Sequence, residues 1–211
     1  MSARLRLAFA TLALAALPAV LHAQADTTRS GKPKNPHRSG LWGELGAGPA
    51  RIRIGCGGCD TVTTEAGGAS FLRIGGTISR KVLMGVETYT FTDNSFGFSE
   101  SDSTTVAENE TISAIVLWYP YRSHFFIKGG VGVAHGRFTV DPNGAAPQVA
   151  DGTGVGINFG LGLDVPLSRK FALTANVGSY ITAIGDLQLP GLTIDDVIPT
   201  TYLLSLSLTF R

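Results

Sequence analysis

The stretch from Thr201 to Phe210, Thr-Tyr-Leu-Leu-Ser-Leu-Ser-Leu-Thr-Phe, limits what this chain can become more than any other part of it. Successive side chains of an extended chain point to opposite sides. Tyr202, Leu204, Leu206, Leu208 and Phe210 therefore share one face, and Thr201, Leu203, Ser205, Ser207 and Thr209 share the other. One face is apolar with an aromatic residue at each end, and the other is mostly hydroxyl. A strand of about ten residues with that pattern fits a transmembrane β-strand.

The opposite end of the chain points to export. Arg4 and Arg6 precede the apolar run Leu7 to Leu21, and Ala23-Gln24-Ala25 supplies small residues for cleavage, so residues 1–25 read as a secretory signal peptide cut after Ala25 or after Ala23. The apolar run, about 15 residues, is shorter than the roughly 20 of a spanning helix. No later stretch has 18 consecutive apolar residues. Removing Arg4 and Arg6 takes 17 basic residues to 15 against 16 acids, so net charge decides nothing. Residues 26–40 carry Arg29, Lys32, Lys34 and Arg38 with Pro33 and Pro36 and no apolar periodicity, which predicts a flexible periplasmic segment.

From Leu41 onward the sequence predicts eight extended segments, at 41–54, 66–79, 82–92, 110–120, 125–140, 154–165, 171–184 and 200–210. In the sixth, Val155, Ile157, Phe159, Leu161, Leu163 and Val165 alternate with Gly156, Asn158, Gly160, Gly162 and Asp164. The second of those faces could not line a hydrophobic core. The fifth and seventh repeat the pattern, whereas the fourth, Ile112 to Tyr119, is apolar on both faces and leaves its register open. Glycine supplies 27 of 211 residues, many inside these segments, where it normally weakens a strand. A narrow closed cylinder gives it a reason, because inward positions have little room.

The connections alternate in length and charge. Three short ones hold Arg80, Lys81, Arg122, Arg169 and Lys170 and no acid. The four long ones, 55–65, 93–109, 141–153 and 185–199, hold Asp60, Glu65, Asp93, Glu100, Asp102, Glu108, Asp141, Asp151, Asp186, Asp195 and Asp196 and neither lysine nor arginine. Short turns on one rim and long loops on the other match a transmembrane barrel with turns toward the periplasm, and an even strand number places both termini there. Lipid offers no partner to an unpaired backbone group, so such a sheet must close.

Together these features resemble the small eight-stranded outer-membrane barrels, the class of the OmpA barrel and OmpX. The resemblance implies an all-β fold over residues 41–211, a closed antiparallel up-and-down transmembrane barrel in the bacterial outer membrane. It also implies that Tyr202, Leu204, Leu206, Leu208 and Phe210 form a C-terminal signal read by the barrel assembly machinery, with Arg211 after the aromatic as a departure.

Glu44, Arg73, Glu87, Lys128 and Asp164 fall on the polar or glycine-rich faces of their segments. An isolated buried ion is costly, so the expectation is an internal ion-pair and hydrogen-bond network that plugs the lumen; an ion path is the alternative. Cys56 and Cys59 are the only cysteines, and an exported chain favours a local disulfide there. A lone CxxC pair is too small for a metal site. His135 and Arg137 are expected outward near the loop end of segment five, in contact with anionic lipid headgroups. Outer-membrane lipid A deacylases carry a serine two residues after an outward histidine; Arg137 stands in that place.

The chain has no phosphate-binding glycine loop, nucleophile elbow, catalytic carboxylate pair or basic surface suited to nucleic acid. The expected function is therefore a non-enzymatic outer-membrane barrel with acidic surface loops, serving envelope integrity or surface interaction, with no cofactor or metal. Outer-membrane lipid and lipopolysaccharide are the expected partners, besides a surface partner the sequence leaves unnamed. A lipid-A-modifying enzyme and a soluble lipocalin-like carrier are the alternatives; the carrier would place its apolar faces inward.

Overall fold

Strands with one apolar and one small or polar face can hide the second face and leave no free edge only by closing on themselves. The computed structural model describes residues 40–55, 63–92, 104–120, 124–141, 148–189 and 192–211. The expected signal peptide, residues 26–39 of the expected leader, and Cys56 and Cys59 lie outside the described residues.

The strands are β1 (Leu41–Gly55), β2 (Thr63–Ser79), β3 (Val82–Thr92), β4 (Thr104–Trp118), β5 (Phe125–Asp141), β6 (Gln148–Pro166), β7 (Phe171–Ala183), β8 (Gly185–Leu189) and β9 (Leu192–Phe210). Each of β1 to β7 pairs antiparallel with the next, β7 pairs with β9, and β9 returns to β1. The result is a closed eight-stranded antiparallel barrel of β1 to β7 and β9. No helix among the described residues is long and apolar enough to cross a membrane.

β8 is an addition to the expected layout. It pairs only with the first part of β9, as a short hairpin beyond the barrel wall. The hairpin leaves the wall through two left-handed residues, Gly185 at φ 71° and Asp196 at φ 51°, beside a register shift between Gly185 and Leu187. Such a shift turns a strand away from its sheet.

β4, β5, β6 and β9 also run further toward the loop rim than the alternation predicts, beginning or ending at Thr104, Asp141, Gln148 and Leu192. Glu108, Asp141, Asp151, Asp195 and Asp196, expected in loops, therefore lie on strands, as do Glu65 on β2 and Asp186 on β8. Backbone pairing continues through these extensions.

The outer wall is apolar. Val155, Ile157, Phe159, Leu161 and Leu163 on β6, and Tyr202, Leu204, Leu206, Leu208 and Phe210 on β9, are all exposed, while Asn158, Asp164, Ser205 and Ser207 are buried. This arrangement rules out the lipocalin-like carrier, which needs the reverse.

The interior is layered rather than uniformly polar. At the short-turn end Trp42, Leu83, Ile115, Leu117, Tyr119 and Phe126 pack together. Toward the loop rim a second cluster includes Ile52, Phe71, Tyr89, Phe91, Tyr180, Ile184 and Leu203. The first cluster explains why segment four looked apolar on both faces. Asn109, Thr111, Ser113, Ile115 and Leu117 face inward, and Ile112, Val116 and Trp118 face outward.

Candidate functional site

Register alone assembles the centre of the lumen. Arg73 on β2 lies directly opposite Glu44 on β1 and Glu87 on β3, so three ionised side chains point inward at one level of adjacent strands. Arg73 Nη1 donates to Glu44 Oε1 at 2.9 Å, and Arg73 Nε donates to Glu87 Oε2. The guanidinium lies over the Phe71 ring, 3.9 Å from its centroid. Lys128 reaches Glu87 from β5, with Nζ 2.8 Å from each carboxylate oxygen, and also donates to the Tyr180 hydroxyl at 2.9 Å.

Neutral groups complete the cluster. Glu44 Oε1 accepts from Asn176 Nδ2 at 3.1 Å and Ser207 Oγ at 2.5 Å, and Asn176 Oδ1 accepts from Arg73 Nη1 at 3.2 Å. Tyr180 stacks on Tyr89, with centroids 3.7 Å apart, and closes the cluster toward the loop rim. Space for these long side chains comes from β5 and β6, whose inward positions include Gly130, Gly132, Gly160 and Gly162. A Cβ on Gly162 would lie 2.1 Å from Phe126 Cζ.

Asp164 belongs to a second group, nearer the short turns. Its carboxylate accepts from Thr174 Oγ1 at 2.8 Å and from Arg211 Nη2, and Arg211 also donates to the Tyr119 hydroxyl at 3.0 Å. Arg211 thus folds back into the barrel mouth, while its backbone N–H donates to Lys170 O.

The cations Arg73, Lys128 and Arg211 balance the anions Glu44, Glu87 and Asp164, so these buried groups carry no net charge. The space lined by Arg73, Lys128, Asn176 and Tyr180 is about 10 Å³, roughly the room of one water molecule. Such an arrangement can hold strands together and block solutes.

Glu44, Arg73, Glu87 and Lys128 therefore meet in one cluster, and Asp164 sits apart from them. Tyr180, Asn176, Ser207, Tyr119 and Arg211 complete the two groups, and the sequence does not single them out as partners. Inward parity was their only signal, and it extends to Arg211, two residues after Thr209. His135 and Arg137 project from the outer wall near the loop end of β5. His135 Nδ1 hydrogen bonds with Thr153 Oγ1 at 3.2 Å, and Glu110 is its direct partner on β4. Among the described residues no three histidine, cysteine, aspartate or glutamate side chains are grouped to hold a metal ion.

A family model described as "Outer membrane protein beta-barrel domain" matches residues 9–210. The chain belongs to this family. Its barrel is similar to that of Neisserial surface protein A, at 16% identity over 82% of this chain and 97% of that one, with a TM-score of 0.53. It is also similar to Ail, the attachment invasion locus protein of Yersinia pestis, at 16% identity over 82% and 98% of the two chains, with a TM-score of 0.55. At these identities the likeness establishes the fold. A search of curated proteins returns no match. As an outer membrane β-barrel this protein belongs in the bacterial outer membrane, and its exposed belt of leucine, valine and phenylalanine is the surface that membrane requires.

Proposed function

We propose that this outer membrane β-barrel is non-enzymatic and serves envelope integrity or surface contact, with both termini and the short basic turns toward the periplasm. The observation that carries the reading is the neutral plug formed by Arg73, Lys128, Glu44 and Glu87, closed above and below by apolar clusters. A lumen filled in this way conducts little, which leaves the outer wall and the loop rim as working surfaces. Acidic residues concentrate at that rim, and the β8–β9 hairpin projects there beyond the wall, suited to contact with a surface partner. The face formed by Tyr202 to Phe210 is the segment for the assembly machinery to recognise. Protease applied to intact cells should cut within 93–103 or 185–199 and spare the wall strands; complete protection would sink the orientation. Reconstituted protein in planar bilayers should show no steady conducting steps.

One contact favours a second reading, a lipid-A-modifying enzyme. His135 pairs with the Thr153 hydroxyl on the lipid-facing wall, with Glu110 beside it, so an acid, a base and a hydroxyl are neighbours there. Mass spectrometry of lipid A from cells with the wild-type protein and with His135→Ala separates the two readings. Identical lipid A in both, and in cells lacking the protein, removes the enzyme.

A further inference from the structure

The outward basic residues in the loop half of the barrel have two kinds of neighbour. Arg137 lies between Glu108 and Asp151 as direct cross-strand partners, and His135 between Glu110 and Thr153. Arg51 lies between Ala66 and Tyr202, and Arg53 between Thr64 and Thr200. Both arginines are exposed, and among the described residues neither takes part in an ion pair. On β5 these cross-strand partners include acids, whereas on β1 they do not.

Beside Arg51 the wall is recessed. Pro49 has no N–H to donate, and the β1–β9 ladder is missing at Gly48 and Pro49 and resumes at Ala50. Gly48 lets the backbones close in, since a Cβ there would lie 2.0 Å from Leu204 O. An open groove of about 600 Å³ results, bounded by Pro49, Arg51, Ala66, Val177, Tyr202 and Leu204. Its surface is apolar except for the guanidinium and the tyrosine hydroxyl at its upper end.

The depth of the groove identifies its surroundings. Tyr202 is eight residues from Phe210 along β9, which at about 3.3 Å per residue and a tilt of roughly 40° places it about 20 Å above the short-turn aromatic residues. An apolar band is about 25 Å tall, so Tyr202 and Arg51 lie about 5 Å inside its far edge and Arg53, two residues on, at that edge, where headgroups begin. Arg51 and Arg53 are two residues apart on one face, about 7 Å, and the planar guanidinium fork matches phosphate oxygens.

We infer that this groove binds a phosphorylated lipid of the outer leaflet, with an acyl chain along Pro49, Ala66 and Val177 and a phosphate monoester held by Arg51 and Arg53. The inference rests on the orientation proposed above, which puts this rim in the outer leaflet.

The test uses the full barrel folded in detergent, with bisphosphorylated lipid A and its dephosphorylated form as probes, and counts retained lipid by native mass spectrometry. Wild type should retain the phosphorylated form selectively, and Arg51→Gln/Arg53→Gln should weaken retention roughly tenfold, the scale of losing charge-assisted contacts. Ala66→Leu, which fills the groove, should weaken both lipids, and His135→Gln/Arg137→Gln should change neither. Equal retention of the two probes by wild type, or unchanged retention after the arginine substitutions, overturns the inference. Heat-dependent gel mobility checks folding of every variant, and protease access on intact cells checks orientation independently. Cleavage confined to the short turns would remove the orientation, and with it the outer-leaflet assignment.

Discussion

Arg73 Nη1 donates to Glu44 Oε1 at 2.9 Å inside the barrel, and the same guanidinium binds Glu87 on the next strand, so one cation joins β1, β2 and β3. Removing one partner of a buried ion pair strands the other, at a cost of about 3–5 kcal/mol. Arg73→Met should destabilise the barrel by that amount in urea titrations in lipid vesicles. Arg73→Lys keeps the charge but not the fork and should lose less.

The outer wall should respond to charge by depth. Leu206 lies halfway between Phe210 and Tyr202 on the exposed face of β9, and Ile198 lies beyond Tyr202 on the same face. Leu206→Arg should cost about 2–4 kcal/mol in the same titration and Ile198→Arg about 0–1, the difference between the bilayer midplane and its edge. Equal costs would contradict the assignment of the lipid band.

Arg211 links Asp164, the Tyr119 hydroxyl and the Lys170 carbonyl, so it ties the end of β9 to three places around the mouth. Arg211→Ala removes the cation from the Asp164 carboxylate, to which Thr174 also donates, and should cost about 1–3 kcal/mol. The temperature at which the folded gel band disappears should fall, and Arg211→Lys should restore part of it.

Gly162 on β6 is the direct cross-strand partner of Phe126 on β5, and a Cβ there would lie 2.1 Å from Phe126 Cζ. Gly162→Val should cost about 1–3 kcal/mol through overpacking. Phe126→Ala opens a cavity and is destabilising by itself. The double variant should lose less than the sum of the two, because the smaller side chain removes the clash; strict additivity would show that the two positions do not meet.

The fold was legible where the two faces of a strand differ in kind. On β6, Val155 to Val165 against Gly156 to Asp164 states its orientation without any partner. On β4, Ile115 and Leu117 face an apolar layer inside while Val116 and Trp118 face lipid, so only pairing with β3 and β5 decides its register. The β8–β9 hairpin was not legible, because it starts at the left-handed Gly185 and Asp196, and periodicity does not register a backbone turn. In the site, Glu44, Arg73 and Glu87 were legible as inward charges. Their joining to Asn176 and Ser207, and through Lys128 to Tyr180, depends on side chains from β7 and β9, strands far away in sequence. The β1 groove was hidden because it arises from a missing side-chain volume and a missing donor at Pro49, and periodicity registers neither.

β1 has β2 on one side and β9 on the other, so half of its ladder cannot form until the most distant wall strand arrives. Closure of this cylinder consequently waits on one joint, and until it forms lipid offers no partner to the two open edges. A cell that monitors the single seam between β1 and β9 has in that one joint a test of whether the whole molecule is finished.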